Sequence, residues 1–236
     1  WRDGSLDATH RELWEAPQVV EELFDLRNDP WEMKNLAGDP AFESHLSSWR
    51  ERLKSKMLAT RDTGVVPEAM FRALVGEKGT AADFVASKGF DYEAVVEAAF
   101  RSGEPASMAA ESWRSDSPDS PVVRYWGLQG MRRLASGERG EAESWVVECL
   151  NDAYSANRVV AAEILWGWGM RELAKQALVA ELDRAEGEFE RLRLLNGFKA
   201  LDLVAAIPTE WVERERGPEG TGGYVVRALD RILPSE

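Results

Sequence analysis

The sequence predicts a mostly α chain whose second half is a helical solenoid, on three observations. A short pattern recurs four times, as Val123-Arg124-Tyr125-Trp126, Asn157-Arg158-Val159-Val160, Leu192-Arg193-Leu194-Leu195 and Val226-Arg227-Ala228-Leu229, with the arginines 34, 35 and 34 residues apart. That interval fits two helices and two short turns, a unit too small to bury its own apolar face, so copies must stack. Breaks at Gly137, Asn151, Gly169, Gly187 and Gly217 cut the same region into helix-length pieces. No alternating strand pattern appears after residue 80. The spacing places Arg124, Arg158, Arg193 and Arg227 near the starts of successive inner helices, along one edge. Small residues that follow them (Gly127, Ala161, Ala162, Gly197 and Ala228) let neighbouring helices approach closely.

The first half reads differently. Residues 1–18 have weak periodicity and scattered aromatics. Val19 to Leu26 combines Leu23 and Phe24 with β-branched Val19 and Val20, between Pro17 and the turn Arg27-Asn28-Asp29-Pro30, which predicts a short strand over Glu22–Leu26. Asp39 as N-cap with Pro40 at the first helical position opens a helix over 40–60. Its apolar face, Phe42, Leu46, Trp49, Leu53 and Met57, should dock on the strand and bury Leu46, Trp49 and Leu53. A second helix starts at Pro67 and stops at Gly76. Thr80 and Asp83 form a capping box for a short helix, and Asp91 caps another that buries Val95, Ala98 and Ala99. Ser115 to Pro121 is a linker by composition, and Ser120-Pro121 opens the first repeat helix. Three regions follow from this: 1–76, a helical link over 77–120, and the repeats over 121–236.

Composition narrows the function. A net charge of −13 repels phosphate backbones, which argues against nucleic acid as a partner. No apolar run approaches the roughly 20 residues that a membrane-spanning helix needs. Cys149 is the one cysteine, so no intrachain disulfide or cysteine-based metal site is expected. The chain starts at Trp1 with neither an initiator methionine nor a signal segment, as expected of a fragment.

No residue stands out as catalytic, cofactor-binding or metal-ligating. His10 and His45 are the only imidazoles, and without a nucleophile or matched carboxylates they make no hydrolytic site. His45 falls on the surface of the 40–60 helix, which leaves His10 as the candidate to approach a substrate. The glycine-rich stretch 217–223 lacks the Lys-Ser/Thr and the preceding strand of a phosphate loop and reads as an inter-helix connection. Trp49, Trp126, Trp145 and Trp166 fall on apolar helical faces, whereas Trp31 and Trp168, beside Pro30 and Gly169, should be exposed. The repeat arginines are expected to bond acids or carbonyls between units rather than a ligand, with Asp119 and Asp152 preceding Arg124 and Arg158 by five and six residues.

Glu21-Glu22-Leu23-Phe24-Asp25-Leu26, followed by Asp29-Pro30, Glu32 and Asn35-Leu36-Ala37, resembles the C-terminal signature of the sulfatases. There a strand, a D-P turn and an N-L-A segment precede the terminal helix. Trp1-Arg2-Asp3-Gly4 and Arg11 to Pro17 look like the lead-in of bacterial heparan N-sulfatase-like members, and Arg61 to Glu68 looks like their helix exit. The repeats from Pro121 resemble the HEAT-like extension that some of these enzymes carry. The resemblance implies a mostly α chain, with a HEAT-like α-solenoid preceded by the terminal strand and helix of a sulfatase-type α/β domain. No proline here has Cys or Ser two positions earlier, so the pattern that becomes the formylglycine nucleophile is absent from these residues. What the resemblance implies is therefore a non-catalytic portion of a sulfuric ester or sulfamate hydrolase. Calcium and the catalytic groups would belong to a separate catalytic domain, the partner that this chain buttresses. Contacts between subunits or with another protein, and a periplasmic or extracellular setting, are also implied. The alternative is a stand-alone α-solenoid that binds a protein along its concave face. A free-standing repeat protein has no need of a lone E-L-F-D-L strand with both edges unpaired.

Overall fold

The computed structural model describes residues 19–76, 79–86, 90–103, 113, 120–218, 220 and 223–233. These residues are mostly helical, none of them lies in a strand, and no helix among them is long and apolar enough to cross a membrane. Packing divides the chain into two compact units, residues up to Thr60 and residues from Arg61 onward.

In the first unit Asp39 caps as its sequence predicts, its Oδ1 accepting from the Ala41 amide at 2.9 Å, and a single 3-10 turn, Pro40–Phe42, leads into α1 (Glu43–Thr60). The helix expected over 40–60 is present, but its apolar face is covered only in part, with Phe42 and Met57 half-buried. Leu46 alone is buried, while Trp49 is 54% and Leu53 55% exposed. The Arg52 guanidinium lies 4.2 Å from the Trp49 ring centroid. The strand expected over Glu22–Leu26 is also not formed. A strand exists only where a neighbour completes its hydrogen-bond ladder, and among the described residues the backbone of Glu21 and Leu23 is met by the Asn35–Leu36 step. The Leu36 amide donates to the Leu23 carbonyl (2.8 Å), while the Asn35 side chain accepts from the Leu23 amide and donates to the Glu21 carbonyl, both at 3.0 Å. Arg50 of α1 grips Glu21 through Nε and Nη2, each at 2.5 Å, and this pairing holds the Glu21 carboxyl below its ordinary range.

The second unit begins with α2 (Glu68–Val75), α3 (Ala81–Ala86) and α4 (Tyr92–Gly103). The α3 capping box is present: the Asp83 amide donates to Thr80 Oγ1 (3.2 Å) and the Thr80 amide to Asp83 Oδ2 (2.8 Å). Asp91 caps α4 through the Ala94 amide at 3.0 Å, and Val95, Val96 and Ala98 are buried while Ala99 is half-buried. Ser120 then caps α5 (Pro121–Met131), followed by α6 (Gly140–Glu148), α7 (Ser155–Gly167), α8 (Arg171–Arg184), α9 (Glu188–Ala200), α10 (Thr209–Arg216) and α11 (Gly223–Ile232).

One row of helices packs in succession: α4 on α5, α5 on α7, α7 on α9 and α9 on α11. The intervening helices lie against this row, α6 on α7, α8 on both α7 and α9, and α10 on α11, while α2 packs on α7 and α9. The core between them includes Val159, Leu178, Leu194, Leu195, Phe198, Trp211 and Leu229. Close approach rests on small residues where the sequence suggested it. A Cβ at Gly127 would lie 2.8 Å from the Trp145 ring and 2.9 Å from that of Trp113, so α5 can seat there only as glycine. Gly169 ends α7 with φ +95°, a backbone geometry that a side chain resists.

Ala161 on α7 is wholly buried. Ala161→Leu is expected to overpack its contacts and to lower stability by about 1–3 kcal/mol. Urea unfolding of the full chain measures this, and an unchanged midpoint would contradict the close approach.

Of the tryptophans assigned to apolar faces, Trp145 is buried, Trp126 and Trp166 are half-buried and Trp49 is exposed. The Trp126 indole N–H donates to the Val65 carbonyl at 2.9 Å. Trp31 is 83% exposed as expected, but Trp168 is half-buried beneath the Arg139 guanidinium, 5.1 Å from its ring centroid.

Candidate functional site

The densest charged constellation is the set of repeat arginines and their acids. Each arginine sits in the first two turns of its helix: Arg124 on α5, Arg158 on α7, Arg193 on α9 and Arg227 on α11. Arg124 Nε bonds Asp152 Oδ2 at 2.6 Å, with Nη2 at 3.2 Å from Oδ1. Arg158 makes a two-pronged pair with Glu181 of α8, both bonds 2.6 Å, and its Nη1 donates to the carbonyls of Asp152 and Ala153 at 2.8 and 2.9 Å. Arg193 pairs in the same way with Glu163 of α7 at 2.6 and 2.7 Å, and Arg132 reaches the same carboxylate at 2.6 Å. Arg191 meets the fully buried Glu215 of α10. Arg227 departs from the series: its Nε donates to the Gly223 carbonyl at 3.2 Å and its guanidinium stacks 4.4 Å from the Tyr224 ring centroid.

The arginines therefore spend their donors on acids and carbonyls between helices, as the sequence suggested, and three of the four are engaged by carboxylates. Asp152 meets Arg158 as suggested, though through its carbonyl rather than its carboxylate. Its carboxylate takes the Arg124 side chain from the preceding repeat, while Asp119 lies outside the described residues. Glu163, Glu181 and Glu215 were not distinguished in the sequence, because their arginines lie 30, 23 and 24 residues away and no local spacing marks them.

Electrostatics fit this structural role. Burial would raise the Glu163 carboxyl, but its bonds to Arg193 and the charge of Arg132 outweigh that and hold it below the ordinary carboxylate range. Burial likewise opposes charge on Arg193, and Glu163 overrides it and raises the guanidinium further. A carboxyl whose folded pKa lies below its unfolded value contributes stability above the unfolded value, and that contribution is lost as pH falls through the folded one. Stability should therefore drop as pH falls below the usual carboxylate range near 4.5. Glu163→Gln should flatten the decline, which urea midpoints between neutral pH and about pH 3 would reveal. Equal slopes for both proteins would refute it.

The remaining candidates do not converge. His45 is exposed on α1, its ring centroid 6.1 Å from that of Phe42, and His10 lies outside the described residues. Of the glycine-rich stretch 217–223, the described part makes a turn, the Gly220 amide donating to the Gly217 carbonyl at 3.1 Å. Among the described residues there is no group of three or more His, Cys, Asp or Glu side chains that could hold a metal ion.

No family model matches the chain, and no solved structure matches it. One relative does: a ulvan-active sulfatase of Formosa agariphila is 33% identical over 67 residues. The relationship to a sulfatase is distant. It is also partial, since the match covers 28% of this chain and 11% of that protein.

Proposed function

We propose that this chain is a non-catalytic portion of a sulfatase-related protein, a hydrolase of sulfuric esters or sulfamates. The observation that carries this reading is the match to the ulvan-active sulfatase. In it, residues 1–76 are the terminal piece of a sulfatase-type domain, 77–120 a helical link, and 121–236 a HEAT-like solenoid. The solenoid buttresses the catalytic domain or mediates subunit contacts, and the whole acts in the periplasm or outside the cell.

Two features support the division of labour. The row of alternate helices, tied by arginine–acid pairs from one helix pair to the next, is how stacked repeats hold together. The first unit, by contrast, leaves Val19, Val20, Leu26, Trp31, Met33, Trp49 and Leu53 exposed. So many large apolar side chains on so short a stretch mark a surface that another body covers.

The chain by itself is expected to hydrolyse no aryl sulfate, because it lacks the Cys/Ser-x-Pro pattern of the formylglycine nucleophile. A chromogenic aryl sulfate with calcium present is the direct assay. Turnover that scales with protein and survives repurification would sink the reading.

A further inference from the structure

Glu163 of α7 is shared by guanidiniums from two other helices, Arg193 of α9 and Arg132 at the end of α5. Two positive charges against one negative leave a single positive charge in excess at this spot, on a chain whose net charge is −13. Arg193 spends both Nη groups on the carboxylate, whereas Arg132 spends only Nη2. Among the described residues Arg132 Nε and Nη1 have no acceptor, and the side chain is 43% exposed. Nη2 carries two hydrogens, so whichever of them Glu163 takes, one two-pronged edge of the guanidinium stays complete. Tyr125, Gln129 and Arg132 lie four and three residues apart, on one face of α5. Tyr125 and Gln129 are half-buried, and among the described residues neither side chain makes a hydrogen bond. Tyr125 is also near enough to Arg193 to favour its charged form. A hydroxyl, a carboxamide and an open guanidinium edge therefore line one stripe. Glu163 already holds the Arg132 side chain, so a ligand would gain its bonds without the cost of ordering it.

We infer that Tyr125, Gln129 and Arg132 bind a small hydroxylated ligand bearing one singly charged oxyanion, the sulfate or carboxylate group of a sugar. The open edge of Arg132 takes two oxygens of that group as a fork. One excess positive charge is matched by one negative charge, which selects a sulfate ester or a carboxylate over a phosphate monoester carrying about 1.5 to 2. Gln129 offers a donor and an acceptor, and Tyr125 a hydroxyl, the complement of neighbouring sugar hydroxyls. The Tyr125 ring is set by its edge contact with Trp126, their centroids 5.5 Å apart.

The test is calorimetric titration of the 236-residue chain at low salt with glucose 6-sulfate, glucuronate, glucose, inorganic sulfate and acetate. At least one of the two anionic sugars should bind saturably and glucose should not, and the sugar that binds identifies the charged group. Arg132→Gln should weaken that binding at least about tenfold, and Tyr125→Phe about threefold. Both variants should keep the near-UV circular dichroism of the wild type, which separates lost binding from lost fold. Saturable binding of neither anionic sugar, or equal affinities in the wild type and both variants, overturns the inference. Glucose bound as tightly as the anionic sugar would overturn the part given to the oxyanion. The corresponding free anion bound as tightly as the sugar would overturn the part given to Tyr125 and Gln129.

Discussion

Glu181→Ala is expected to destabilise the helical unit by about 3–5 kcal/mol, the usual cost of removing one partner from a buried pair. Glu181 is 2% and Arg158 8% exposed, and the carboxylate takes both Nε and Nη2 of the arginine. Without it, only Nη1 keeps its acceptors, the carbonyls of Asp152 and Ala153. Two guanidinium donors and most of a full charge would then be sealed away from water. The cost belongs to the orphaned charge rather than to the attraction lost, so the double variant Arg158→Met/Glu181→Leu should recover most of it. Urea unfolding of the wild type and both variants at neutral pH checks this. A loss below about 1 kcal/mol for the single variant would show the pair to be as weak as a surface ion pair.

Phe198→Ala should cost a similar amount, about 3–5 kcal/mol, for a different reason. Phe198 is wholly buried on α9, in the cluster shared with α7, α8, α10 and α11. Truncation loses the transfer energy of the ring and leaves a void that neighbours tied by ion pairs can close only in part. The surface control is Leu173→Ala on α8, which is 39% exposed and should shift stability by no more than about 0.5 kcal/mol. Comparable effects at the two positions would mean that the cluster is not a packed core.

The sequence by itself determined the local events. Caps at Asp39, Thr80, Asp91 and Ser120 form where the residues place them, because a cap is decided within three or four positions of its own chain. The four arginines of the recurring pattern fall in the first two turns of α5, α7, α9 and α11, and Gly127 against two indoles is the clearest close approach at a small residue. Periodicity also identified the apolar face of α1. It could not say whether anything covers that face: Leu46 is buried while Trp49 and Leu53, on the same stripe, are more than half exposed. Burial is a relation between segments, and a pattern along one helix supplies only half of it.

The same holds for Glu22–Leu26, whose strand-forming residues lack a ladder because β structure is completed by a second chain segment. It holds also for the acids that meet the arginines. Asp152, Glu163, Glu181 and Glu215 acquire their partners only when helices distant in sequence are laid side by side. The tertiary structure decided those pairings, since low local dielectric and two-pronged geometry give a buried arginine one acceptable carboxylate, whatever its distance along the chain.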